Sequence, residues 1–160
     1  MTIRRATNAD IPGILNLLVQ VDMVHHNGRP DLFKGPTTKY NAEELERIIA
    51  DEKTPVFVAQ GDNGDILGHA FVVMSVNTSQ NMPIGMKSMY IDDICVDENA
   101  RRMNVGTALY QHCIAYAKQA GCHDVSLNVW EGNESADKFY RSMGLKPRKT
   151  TLECILDQTT

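Results

Sequence analysis

The run VDENARRMNVGTAL, Val96 to Leu109, carries residue types suited to holding an anion. A strand-like segment passes through Arg101 and Arg102 and a glycine-bearing turn into a stretch with helical spacing. A helix starting there gathers unpaired N–H groups and the positive end of its dipole at one point, a ready site for a pyrophosphate. Gly106 lets the backbone approach a ligand with no Cβ in the way, and Asn104 is among the side chains that best tolerate left-handed backbone. Beyond Met103, the amides of Asn104, Val105, Gly106 and Thr107 converge, and the Thr107 hydroxyl offers one more hydrogen bond. An ordinary capped helix with surface arginines would use the same residues. Just upstream, YIDDICV sets Asp92 and Asp93 on a strand whose alternation turns them to opposite faces, Asp92 on the side of Ile94 and Val96. A carboxylate among apolar neighbours holds a proton more tightly than a free aspartate.

These groups need a scaffold, and the order of elements reads as mixed α/β. Thr2 to Arg5 alternates as a short strand, and Asn8 or Asp10 caps a helix with Ile11, Ile14, Leu15, Leu18 and Val21 at helical spacing, Pro12 in its first turn. Asp22 to Thr38 reads as a loop. Asn41 opens a second helix, with Leu45, Ile48 and Ile49, that stops before Pro55. Pro55 to Gln60 and Ile66 to Val76 are strands joined by the turn GDNGD, so they should pair antiparallel. Ser88 to Val96 is the next strand. A helix over Val105 to Ala120 ends at Gly121, a strand covers Asp124 to Val129, and a helix over Asn133 to Met143 ends at Gly144. Thr150 to Leu156 reads as a closing strand.

The chain of 160 residues fits one domain, 42% hydrophobic and 22% charged, with no apolar run near the ~18 residues of a membrane span. The start, MTIRRATNAD, lacks an apolar secretion core, so a cytoplasmic protein is expected. Cys95, Cys113, Cys122 and Cys154 lack the paired spacing of a zinc or redox motif and read as buried or idle thiols. A net charge of −4 without a basic run argues against a nucleic-acid surface.

RRMNVG resembles the Q/R-x-x-G-x-G/A signature of the GNAT acetyltransferase superfamily, with Arg101 first, Asn104 in the first glycine place and Gly106 in the second. Asn133, Ala136, Phe139, Tyr140 and Gly144 are similar to that superfamily's N-x-x-A-x-x-F-Y-x-x-x-G-F, Leu145 replacing the last aromatic. The likeness, from Ile3 to Leu156, implies a single α/β domain over residues 1–160. It would hold a mixed, mostly antiparallel sheet of about seven strands flanked by about four helices. It implies acetyl-CoA as co-substrate and no metal. The pyrophosphate would lie on Arg101 to Thr107, the pantetheine arm along Ile94, Cys95 and Val96, and the thioester in a splayed gap between that strand and Asp124 to Val129. Asn133 belongs to the same cofactor set.

The reaction so implied is acetyl transfer to a primary amine of a small molecule or peptide, by direct attack in a ternary complex. An alkyl ammonium, with a pKa of ~10.4, must lose a proton before it attacks. Asp92 is the preferred proton acceptor and Asp93 the second, either acting through an ordered water where the side chain is short, with bulk water as the acceptor if neither serves. Tyr140 is the expected donor to the departing thiolate, against its plainer use as a core aromatic. Acceptor contacts are expected from His25, His26, Arg29, Asp31 and Phe33, and from the loop Asn81 to Lys87, whereas Met82, Met86 and Met89 read as packing beneath a hairpin in preference to an acceptor-facing patch. Dimerisation is common among such proteins, so a homodimer is among the partners considered, although no feature of the sequence fixes its interface; no nucleic-acid or membrane partner is expected. The competing reading is a non-catalytic acyl-CoA sensor or interaction module.

Overall fold

In the computed structural model, which describes residues 1–156, the chain divides into two compact units, Met1–Asn128 and the segment from Val129 onward. The first unit holds a sheet in the order β1 (Thr2–Arg5), β2 (Val56–Gln60), β3 (Ile66–Val76), β4 (Lys87–Val96) and β5 (Asp124–Leu127). Pairing is antiparallel from β1 to β4 and parallel between β4 and β5. A parallel pair needs a crossover, which α3 (Val105–Gln119) supplies. The helices α1 (Ile11–Gly28) and α2 (Ala42–Ala50) complete this unit, and α4 (Glu134–Ser142) belongs to the second.

Strand β2 shows why helices cover both faces of the sheet. Its alternate residues Val56 and Val58 pack with Ile11, Ile14, Leu18 and Leu45 of α1 and α2. Phe57, between them, turns the other way, its ring 4.7 Å from His112 and 5.2 Å from Tyr116 of α3. Each such fully buried side chain contributes about 1.5–3 kcal/mol from burial. Gly68 fixes how closely α3 can sit. A Cβ there would come within 2.8 Å of the Cys95 carbonyl and 3.0 Å of Leu109 and Val105 methyls, so only glycine allows the first turn of α3 to rest on β3.

The ends of the elements follow the expected chemistry. Asn41 and Glu44 cap α2 reciprocally, the Glu44 N–H donating to Asn41 Oδ1 at 2.9 Å and the Asn41 N–H to Glu44 Oε2 at 2.8 Å. Gly121, at φ 77°, ends α3 as its N–H bonds to Lys118 while the Cys122 N–H bonds to Ala117. Arg4 on β1 forks onto Asp10 with both contacts at 2.8 Å, and the Thr7 N–H adds a third at 2.8 Å. These bonds, Arg4 first, hold the buried Asp10 carboxyl below the usual aspartate range.

Three expectations need correction. The sheet has five strands among the described residues, not about seven. Thr150 to Leu156 is irregular: a strand exists through its ladder, and this segment joins none, leaving Leu152, Ile155 and Leu156 exposed. Helix α1 runs on to Gly28, because Asp22 to Asn27, though polar, contains no breaker before Gly28 and Pro30.

Candidate active site

Strand β4 changes character halfway along. Ser88 to Ile91 pair with Asp124 to Leu127 of β5, but the ladder stops at Ile91 and Leu127. On its other edge β4 stays paired with β3 to Val96, with one irregularity: Phe71 faces Asp93 and Val72 faces Ile91, so Asp92 is an extra residue without an opposite number. Such a bulge bends the strand and raises its twist. The bend and the end of the β5 ladder fall together, leaving the second edge of Asp92 to Val96 free of a strand partner among the described residues.

The bulge overturns the expectation that Asp92 and Asp93 face opposite ways. Asp93 Oδ2 is 3.0 Å from Nε2 of His69, whose ring lies 4.9 Å from that of Phe71, in the core formed with α1 and α2. Asp92 Oδ2 lies 2.5 Å from Nζ of Lys39, whose neighbour Tyr40 also packs on Phe71 at 5.7 Å. Both carboxylates therefore serve the α1–α2 side, because the inserted residue breaks the period of two that the alternation assumes. Burial opposes the charge on Lys39, but the hydrogen bond and charge of Asp92 outweigh it and raise the ammonium's pKa. Burial, and then the Asp92 charge, also raise the Tyr90 phenol.

Past β4, the chain turns at Asp97, whose carboxylate accepts from the Asn99 N–H at 2.8 Å, while Gln20 of α1 reaches Asp97 Oδ2 at 3.4 Å and the Glu98 N–H at 3.1 Å. These bonds pin the turn onto α1. Two non-glycine residues then take positive φ, Arg102 at 67° and Asn104 at 58°. Asn104 occupies the left-handed region expected for it and makes no side-chain capping bond. Residues 101–104 form turns, and among the described residues the N–H groups of Arg101 to Thr107 donate no hydrogen bond of good geometry. Arg101, Arg102, Met103 and Asn104 are exposed, and Gly106 and Thr107 are half-buried. Amides so weakly engaged beside two arginines at a helix start fit a pyrophosphate. A cavity of about 400 Å³ that Asn99, Ala100 and Met103 also line carries Asp65 and Asp97 and has the wrong charge for one.

The remaining expected residues divide among several places. Ile94 and Val96 are half-buried on the free edge of β4. Cys95 is buried, its Sγ donating to the Leu17 carbonyl at 3.4 Å, and burial pushes its thiol up to about 12. His25 and His26 lie in the last turn of α1, not in a loop. His25 stacks on Phe33 at 5.1 Å, and Nδ1 of His26 donates to the Phe33 carbonyl at 2.6 Å. Arg29 and Asp31 bond to each other at 2.9 and 2.7 Å. The five thus form a cluster that meets much of its own polar demand. Met89 is fully buried in β4, whereas Met82 is exposed. In the second unit, Asn133 caps α4 by accepting from the Ala136 N–H at 3.3 Å, and the half-buried Tyr140 ring is 5.0 Å from Phe139.

Two residues at the bulge escaped sequence reasoning. His69 carried a signal: it is the lone polar residue of GHAFVV, at a strand position that had to be buried, and a buried imidazole needs a partner. Lys39 carried none, since its partner lies 53 positions away.

The five-stranded α/β unit thus sets a bulged, half-open strand beside a turn whose amides face no partner of good geometry. Residues 22–145 match the sequence profile of the Acetyltransferase (GNAT) family. The chain belongs to that family, whose enzymes use acetyl-CoA as co-substrate. It is similar to a tetramutant of the BH1408 protein from Bacillus halodurans, at 29% identity, covering 98% of this chain and 100% of that one with a TM-score of 0.91. The fold is shared with an aminoglycoside acetyltransferase, meta-AAC0020, from an uncultured soil metagenomic sample (21% identity, 98% and 96% covered, TM-score 0.73). It is shared too with an acetyltransferase of Trypanosoma brucei (19% identity, 97% and 99% covered, TM-score 0.72). Among the described residues, no helix is long and apolar enough to cross a membrane.

Proposed function

We propose that the chain is an N-acetyltransferase that moves the acetyl group of acetyl-CoA directly to a primary amine in a ternary complex. The observation that carries this reading is the coincidence at Asp92: the bulge, the end of the β5 ladder and an ammonium on a carboxylate meet at one residue. The amides of Arg101 to Thr107 hold the pyrophosphate, with Arg101 and Arg102 adding charge. The free edge of Ile94, Cys95 and Val96 offers backbone groups to the amides of the pantetheine arm.

Asp92 accepts the proton of the incoming ammonium, and Asp93, fixed by His69, stands next to it as the alternative. The freed amine attacks the thioester carbonyl, and the C–S bond breaks as the thiolate leaves. Tyr140 carries the donor role that the sequence resemblance assigns to it. The Lys39 ammonium, paired with Asp92, supports a primary, positively charged nitrogen as the acceptor group.

The test is acetyl-CoA consumption across polyamines, amino acids, aminoglycosides and peptides, with CoA binding measured in parallel. Turnover on at least one amine is expected. Tight CoA binding without turnover on any of them would replace an enzyme with an acyl-CoA sensor.

A further inference from the structure

We propose that Lys39 is itself an acyl acceptor, so that the chain acetylates its own Lys39 Nζ from acetyl-CoA. The inference rests on the reading of Asp92 as the proton acceptor. If that carboxylate takes the proton of a substrate ammonium, the ammonium must lie within hydrogen-bond reach of it. Lys39 Nζ meets this condition within the chain, 2.5 Å from Oδ2 at the unpaired bulge residue.

The placement of Lys39 is built into the fold. On one side the Thr37 N–H donates to Asp22 Oδ2 at 3.2 Å. On the other, Tyr40 packs on Phe71 and Asn41 begins α2 with its capping box. Lys39 Nζ stands 5.2 Å from the Tyr40 ring, a second contact that favours a cation. Its side chain is half-exposed, which leaves it open to a reagent, while Asp92 is one quarter exposed. A lysine placed only for surface solubility needs neither the ring nor the bulge carboxylate.

The step balances without a further reagent. The ion pair holds Lys39 as the ammonium at rest; only when one proton has passed to Asp92 is the lone pair free to form an N–C bond to the thioester carbonyl. The C–S bond breaks, the electron pair leaves on sulfur, and the thiolate takes up a proton. Nζ-acetyl-Lys39 and CoA result, with one proton released overall. The acetylated side chain is neutral and can no longer pair with Asp92, so the reaction also frees the carboxylate for an outside amine.

The experiment incubates the full chain with isotopically labelled acetyl-CoA and follows each lysine by peptide mass spectrometry. Lys39 should gain the label ahead of the exposed Lys138, at a fractional rate independent of protein concentration. Asp92→Asn, checked for folding by circular dichroism and for CoA binding, should slow labelling of Lys39 by about a hundredfold and leave Lys138 unchanged. Lys39→Arg should remove the fast label and still be folded. Labelling of Lys39 no faster than Lys138, or indifferent to Asp92→Asn, overturns the proposal. Turnover on an outside amine with Lys39 unlabelled also overturns it while leaving the acetyltransferase reading intact. CoA binding with transfer to no amine sinks both.

Discussion

The two halves of β4 share one backbone and one neighbour, β3, yet differ on their other edge. From Ser88 to Ile91 the strand is paired on both sides, and Met89 and Ile91 are buried. From Asp92 to Val96 it is paired on one side only, and it carries two carboxylates where the closed half carries apolar side chains. A strand built throughout like the first half would be a better sheet and would lack the open edge on which the proposed function rests. One inserted residue separates the two jobs.

That division makes opposite demands on mutations in the two halves. Met89→Ala should cost about 3 kcal/mol of unfolding free energy in a denaturant titration, with kcat per folded molecule unchanged. Asp92→Asn should keep stability within about 0.5 kcal/mol. It should lower kcat about a hundredfold, equivalent to about 2.7 kcal/mol of barrier, with the Kd for CoA unchanged. The division of labour fails if the effects cross over, with Asp92→Asn unfolding the protein or Met89→Ala cutting turnover.

Asp10 sharpens the contrast from outside β4. It ties α1 to β1 through Arg4, so it should act as the closed half does, on stability alone. Its folded pKa is lowered, which means its contribution is full above the unfolded value of about 3.9 and is lost as pH falls through the folded one. Asp10→Asn should therefore cost about 1 kcal/mol at neutral pH, and the gap from wild type should close on acidification. A gap that widens in acid would refute the assignment. The smallest effect belongs to Asn104→Gly at the far end of the open half. Asn104 already sits at φ 58° without a capping bond, so glycine should change stability by at most about 0.5 kcal/mol. Calorimetry should then give the same CoA affinity, as the proposed grip by main-chain amides requires; a large gain would mean that the Asn104 side chain obstructs the pocket.

Local chemistry was legible in the sequence where it acts over a few residues. Strand β3 has the bounds its turn signal gives, α2 starts at its Asn41 cap, and α3 ends at Gly121. The left-handed place of Asn104 was legible for the same reason, because the side chain and its backbone are one residue. What depended on distant partners was not. The bulge is invisible to a rule of alternation, since it exists only through the register of β4 against β3, and with it went the faces of Asp92 and Asp93. Lys39 needed its partner placed before it could be noticed. Thr150 to Leu156 had a strand's pattern without a strand's neighbour.

Burial of Cys95 in the open half has a chemical sequel. Its thiol, with a pKa of about 12, keeps its hydrogen throughout the neutral range. A sulfhydryl in that form is a poor nucleophile. Transthioesterification onto the protein thus has no entry point at this position, and alkylating agents should modify the exposed Cys154 while sparing Cys95.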